Sequence, residues 1–224
     1  MIAVLTADLS SSTSYSKELL DKALTALNKE FEELDKKNNS KKPQFKIYRG
    51  DSFQGIIHKP ENALHIALQI KTAINKIYTQ ESSTNKAYSR EADLKMAIGI
   101  GSYDFKRKNI LESNGEAFQF SGRILDEMKT ESRKTRLKTP SISINEEFNA
   151  SLFLLDILAE KWSTASAEVI YYALKGLKET EIAKILKISQ SAVNQRKKAA
   201  GWGAIDVLLK RYQSVISNYI AHAN

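Results

Sequence analysis

A chain of 224 residues that is 42% apolar can bury one good core, and its length fits one or two domains about equally well. No run approaches the roughly 18 consecutive apolar residues of a membrane span, the opening MIAVLTADLSSS has no basic stretch ahead of an apolar core, and the absence of cysteine excludes disulfides, thiolate zinc sites and a cysteine nucleophile. A cytoplasmic protein with no membrane partner is therefore expected, and its net charge of +8 is uneven: from Lys161 to Asn224 ten basic residues stand against four acidic ones, so the last quarter is expected to meet a polyanion.

In chain order, IAVLTAD reads as a buried strand over about residues 2–7, ending at Asp8. After the polar cluster Ser10 to Thr13, apolar residues from Leu19 to Leu34 recur at three- and four-residue spacing and predict an amphipathic helix, closed by KKNNSKKP. QFKIYRGDSFQGIIH reads as a β-hairpin turning at Gly50 and Asp51. Pro60 suits the first turn of a second helix, whose inward face runs from Ala63 to Ile77. A polar loop of about residues 79–92 leads to the strand DLKMAIGIGSYDF, whose glycines suit close backbone approach to a neighbour or ligand.

A basic loop, Lys106 to Lys108, precedes a third helix in GEAFQFSGRILDEMK. A last short strand is expected at Ser141 to Ile144, after the charged stretch ESRKTRLKTP. The order β-α-β-β-α-β-α-β fits an α+β, ferredoxin-like or palm-type sheet with its helices on one face, occupying residues 1–144. Residues 145–162 predict an apolar connecting helix that packs on the sheet or on a second copy of the chain. Residues 163–224 are helical throughout.

That C-terminal part parses as short helices over Ala167 to Lys175, Glu179 to Leu186 and Gln190 to Ala200, then a longer one over Ala204 to Ile220. Ala183 falls where two helices cross, Ile188 plugs the turn and Val193 anchors the third helix from beneath, the spacing that closes a helix-turn-helix. Over roughly forty residues it resembles the helix-turn-helix of LuxR-type regulators and sigma factor region four. The resemblance implies double-stranded DNA as partner, with Gln190, Ser191, Asn194, Gln195 and Lys198 facing bases or phosphates and Arg196 and Lys197 reaching the flanking backbone. The last helix has more apolar surface than a three-helix unit needs, and is a candidate dimerisation helix or packs back on its own domain.

Three separated N-terminal patterns resemble the class III nucleotide cyclases: Asp8-Leu9 followed by Ser12-Thr13, Gly50-Asp51 on the hairpin, and GEAFQFSGRI from Gly115 to Ile124. Together they are similar to the SatD-like family of cyclase-related bacterial proteins, which can carry a helix-turn-helix behind such a domain. The resemblance implies that Asp8 and Asp51 hold Mg²⁺ or Mn²⁺, that Ser12, Thr13 and the backbone amides of Leu9 to Thr13 meet the phosphates of a nucleoside triphosphate or cyclic nucleotide, and that Glu116 contacts the base. Gln119 and Arg123 would steady the sugar and the transition-state charge, and all three residues would be contributed by the partner subunit of a homodimer. The chain departs from the family where Gln119 replaces Asn, Glu116 replaces Asp, and Phe45 or Ile47 stands in place of a base-reading Lys. Those departures imply altered base preference, or nucleotide binding without cyclisation.

His58, His65 and His222 have no partner at metal-ligand spacing and read as structural or surface residues. The function expected is a dimeric DNA-binding transcriptional regulator with a nucleotide cyclase-like ligand-sensing or dimerisation domain. The alternatives are an active metal-dependent nucleotidyl cyclase located by its DNA-binding module, and a helical module that binds protein.

Overall fold

The computed structural model describes residues 1–37, 44–48, 50–79, 90–103 and 114–223. The tract KKNNSKKP from its third residue to Lys42 and Pro43, most of the polar loop at 79–92, and the basic loop at Lys106 to Lys108 lie outside the described residues.

Among the described residues five strands form one sheet: β1 (Ile2–Leu9), β2 (Phe45–Tyr48), β3 (Ser52–Ile57), β4 (Leu94–Gly101) and β5 (Thr135–Lys138), in the order β2-β3-β1-β4-β5. The first four are antiparallel with β1 at the centre, and β5 joins β4 in parallel. Helices α1 (Lys17–Lys37), α2 (Ala63–Asn75) and α3 (Glu116–Glu127) alternate with these strands. The result is a mixed α+β sheet in the ferredoxin-like order of the palm-type fold, with one parallel strand added.

The helices occupy both faces, not one. Ala3, Leu5, Ala7 and Leu9 of β1 and Leu94, Met96, Ile98 and Ile100 of β4 share a core with α1 and α2. The alternate positions Ile2 and Val4, with Ile56, meet Ala117 and Phe118 of α3 on the other side, while Ala97 packs with Ile124, Leu125 and Met128. The central strands are apolar at successive residues, so one covered face could not have buried them. Gly99 allows the close approach of α3: a Cβ there would lie 2.2 Å from the Ala117 carbonyl oxygen.

The last strand is also not where the sequence placed it. Ser141 to Ile144 begins α4 (Ile142–Glu160), with the Ser141 hydroxyl accepting from the Ile144 amide at 3.4 Å, so the alternating residues here belong to a helix cap and its first turn. The strand is TRLK, inside the charged stretch, with Thr135 and Leu137 buried. Its outer edge is sealed by α4. Asn145 bonds the amide and carbonyl of Thr139, Asn149 those of Leu137, and Asp156 accepts from the Lys134 and Thr135 amides at 2.7 and 2.9 Å.

Four further helices follow: α5 (Thr164–Leu174), α6 (Glu179–Leu186), α7 (Gln190–Ala199) and α8 (Trp202–Ala223). Val169, Ile182, Ala183 and Val193 make a small core of their own, with Ile188 packed against it at the α6–α7 turn. The main core nevertheless continues from the sheet through α4, α5 and α8. Trp162 donates to the Ala200 carbonyl at 3.0 Å and Tyr212 to that of Pro60 at 3.1 Å, while Tyr171 donates to the buried Glu30 carboxylate at 2.8 Å.

Candidate functional site

Two groups of candidate residues lie in separate regions, the first at one end of the sheet. Asp8 stands at the end of β1 directly across from Ser52, and Asp51 precedes Ser52 in the turn between β2 and β3, where Gly50 adopts φ +83°. The two carboxylates thus come from the end of β1 and from the turn that leads into its neighbour β3. Ser12 donates to Asp51 Oδ2 at 2.6 Å, and Ser52 to Asp51 Oδ1 at 3.3 Å. Ser11 takes a left-handed backbone conformation (φ 56°), uncommon for a residue with a side chain and enriched at functional turns.

The turn after β1 is tied down on both sides, by the Leu9 amide to the Asp51 carbonyl (3.0 Å) and the Ser10 amide to the Asp93 carbonyl (2.8 Å). Those two amides are therefore engaged, which narrows the expected phosphate cradle to Ser11, Ser12 and Thr13. Residues 12–14 form a single 3₁₀ turn, and α1 begins only at Lys17, so the cradle is not the start of the long helix.

Among the described residues no three His, Cys, Asp or Glu side chains gather at a metal-binding distance. Asp8 and Asp51 nevertheless supply the hard oxygen donors that Mg²⁺ or Mn²⁺ prefers, and Mg²⁺ is commonly held by one or two carboxylates plus substrate phosphates. The donor set fits such an ion.

One cation, Lys95, stands beside this pair with no local sequence signal to mark it. Lys95 on β4 lies across from Asp8 in register, and its ammonium donates to the carbonyls of Met128 and Glu131 (2.8 Å for the latter). Burial, and then the Lys134 charge, push its pKa below the ordinary lysine range. Behind the site, Asp93 is buried with Lys71, whose Nζ lies 2.6 Å from Asp93 Oδ1, and with Arg90 at 3.3 Å. Burial alone would raise the Asp93 carboxyl; Lys71 and Arg90, with the Asn75 amide, instead hold it well below the usual carboxylate range.

Glu116, Gln119 and Arg123 lie along α3, with Gln119 and Arg123 exposed. The Glu116 carboxylate accepts from the Ser102 amide at 3.2 Å, next to Gly101, which pairs with Ile2 at the start of β1. Asp8 is six residues further along that strand, roughly 20 Å away at about 3.4 Å per residue. Within one chain the structure does not bring Glu116 to the Asp8 and Asp51 pair.

The second group is α7. Ser189 caps it by accepting from the Ala192 amide at 3.1 Å, and Val193 is its one buried residue. Ser191, Gln195 and Lys198, spaced by four and three residues, are exposed on the side away from Val193. Gln190, Asn194 and Lys197 form a flank turned toward α6. There Glu179 accepts from Lys197 Nζ at 3.1 Å and Asn194 Nδ2 at 3.3 Å, and hydrogen bonding from Lys197, then Asn194 and Gln190, lowers its pKa. Lys197 also sits 5.7 Å from the centre of the Trp202 ring, and Arg196 is half-buried on the opposite flank. Glu179 escaped the sequence reading because an acid at a helix start is ordinary dipole chemistry.

The three histidines all have hydrogen-bond partners: Gln44 Oε1 for His58, the Leu174 carbonyl for His65 and the Asn218 carbonyl for His222. Among the described residues no helix is long and apolar enough to cross a membrane.

No protein-family model and no curated protein matches the sequence. Among solved structures the chain is similar to a guanylyl cyclase, over 56% of this chain and 69% of that one, at 17% identity and a TM-score of 0.35. It is also similar to a bacterial light-regulated adenylyl cyclase, over 66% and 79%, at 8% identity and a TM-score of 0.38. The likeness is one of sheet and helix arrangement at low score, and the chemistry of those two proteins does not transfer to this chain by it.

Proposed function

We propose that the protein is a DNA-binding transcriptional regulator in which α5 to α7 form a helix-turn-helix and the sheet domain binds a nucleotide or another small ligand. The observation that carries the reading is α7 itself, a capped helix with three basic residues, no acidic one, and a single buried anchor at Val193. A helix so presented suits the major groove, where Ser191 and Gln195 reach base edges and Lys198 a phosphate. Asn194, fixed by Glu179, keeps its carbonyl oxygen and one amide hydrogen for an adenine.

Gel retardation of duplex DNA across a salt series tests this. Binding at low salt is expected, weakening as salt rises, with Arg196→Glu and Lys198→Glu together abolishing it. No retardation at low salt, or retardation indifferent to those substitutions, overturns the reading.

The Asp8 and Asp51 pair favours a second reading, a metal-dependent nucleotidyl cyclase of the SatD-like type. A divalent ion held there would neutralise a triphosphate and activate the attacking 3′-hydroxyl. Ser12 orients Asp51, the Ser11 to Thr13 amides meet phosphate oxygens, and Glu116, Gln119 and Arg123 would serve the site of a second copy. Incubation with each nucleoside triphosphate and Mg²⁺ or Mn²⁺ should then yield a cyclic product that Asp51→Ala removes. Absence of product with all four triphosphates rejects it.

A further inference from the structure

A side-chain amide reads a base unambiguously only when something fixes which of its two ends meets the groove. Turning the amide over exchanges a donor for an acceptor, and the purines differ in the major groove by that exchange. Adenine presents the N6 donor beside the N7 acceptor, whereas guanine presents two acceptors, O6 and N7. Helix α7 carries one amide that is free to turn and one that is not.

Gln195 is exposed, and among the described residues nothing bonds its side chain. It can therefore meet either purine. Asn194 is half-buried, and its Nδ2 donates to Glu179 Oε1 at 3.3 Å. An ionised carboxylate only accepts, so turning the Asn194 amide over would set two acceptor oxygens against each other. Glu179 is kept ionised by hydrogen bonds from Lys197, then Asn194 and Gln190, which hold its pKa below the ordinary range. Those three residues, four and three positions apart, line one side of α7, and the carboxylate at the start of α6 runs against that side.

A bare carboxylate beside DNA would repel the phosphates. Lys197, whose Nζ lies 3.1 Å from the same Oε1, cancels that charge. One cation is thereby withdrawn from the backbone, and an amide of fixed sense is left facing outward with Oδ1 and one N–H available.

We propose that Glu179 is a positioning residue for base recognition, fixing the Asn194 amide so that it accepts from adenine N6 and donates to N7, and that the duplex bound therefore carries an A·T pair beneath Asn194. The assignment rests on α7 being the helix that enters the major groove, and adds the base that one of its residues selects. A guanine at that position would set O6 against Asn194 Oδ1, acceptor on acceptor, whereas beneath Gln195 either purine is accommodated.

Duplexes selected by the full chain from a random pool supply the probe. In the selected sequence, one A·T pair should exist whose change to G·C weakens binding roughly 5- to 150-fold. That difference should vanish in Asn194→Ala, fall in Glu179→Ala and return at least in part in Glu179→Gln, whose carbonyl still accepts from Asn194. All three variants should keep the low-salt binding of a mixed-sequence duplex, which separates lost discrimination from a lost fold. In the free wild-type chain, the Asn194 side-chain amide should exchange with solvent more slowly in NMR spectra than that of Gln195. The proposal is overturned if no such pair is found, if the difference survives Asn194→Ala, if Glu179→Ala discriminates as well as the wild type, if Glu179→Gln restores nothing, or if the two amides exchange alike. A chain that retains no duplex at low salt overturns the DNA-binding reading and this proposal with it, whereas retention without the A·T requirement overturns this proposal alone.

Discussion

Lys71→Met isolates the buried ion pair behind the Asp8 and Asp51 pair. Lys71 is 1% exposed and gives its ammonium protons to Asp93 Oδ1 at 2.6 Å and the Leu94 carbonyl at 3.0 Å. Methionine keeps most of the aliphatic volume and deletes the charge. Asp93 would retain Arg90 at 3.3 Å and the Asn75 amide at 2.9 Å but lose its shortest contact. Removing one partner of a buried pair costs about 3–5 kcal/mol. With Arg90 still in place, the lower end applies, about 3 kcal/mol. In a chain of this size each kcal/mol moves the melting temperature by about 2–4 °C, so a fall of roughly 6–12 °C is expected in a circular dichroism melt at pH 7.

Adding Asp93→Asn should recover part of that loss, since the desolvated carboxylate charge is gone while Arg90 in turn loses its partner. The sign of the pH dependence follows from the same pair. Asp93 has a depressed folded pKa, so its contribution is present above the unfolded value of about 3.9 and disappears as pH falls through the folded one. Lys71→Met should flatten that acid limb. A loss below about 1 kcal/mol, or an Asp93→Asn that deepens the defect, refutes the reasoning.

Three further outcomes are expected. Glu179→Gln keeps an acceptor for Asn194 but releases Lys197 to a phosphate, so the slope of log K against log salt for duplex binding should steepen by about 0.9; an unchanged slope means Lys197 stays out of reach. Gly99→Ala should cost about 3 kcal/mol because its Cβ meets the Ala117 carbonyl, whereas Gly122→Ala, with no atom within 4 Å, should gain up to about 1 kcal/mol; equal effects in chemical denaturation would contradict the close packing of α3 on β4. Asn149→Ala strips both hydrogen bonds from Leu137 and should cost about 1–3 kcal/mol, with faster amide exchange at Leu137 as the local signature.

Much of this architecture was legible in the residue pattern, for reasons visible in particular segments. The periodicity of Leu19 to Leu34, and the Gly176, Ile188 and Val193 spacing, are long or distinctive enough to fix their helices, and β1 is a plain apolar run. Thr135–Lys138 was hidden because a four-residue strand inside a charged stretch exposes no decisive period, and Ser141 to Ile144 alternates as well as a strand while folding as a helix start. The second covered face of the sheet needed Gly99 to be seen against α3. At the candidate site, Asp8 and Asp51 are singled out in the sequence by a resemblance in motif spacing, but the Lys71–Asp93 pair and the hold of Glu179 on Asn194 and Lys197 join residues 22, 15 and 18 positions apart, and no local pattern announces them.

The carboxamides and carboxylate that α4 lays along β5 act as rungs of a sixth strand that has no backbone. An unzipping of α4 would therefore bare an unsatisfied ladder and the apolar inner side of the helix in one event. Opening of that single helix becomes the step at which this sheet could recruit a foreign strand. Any condition that clamps α4 should raise the threshold for aggregation more than it raises the melting temperature.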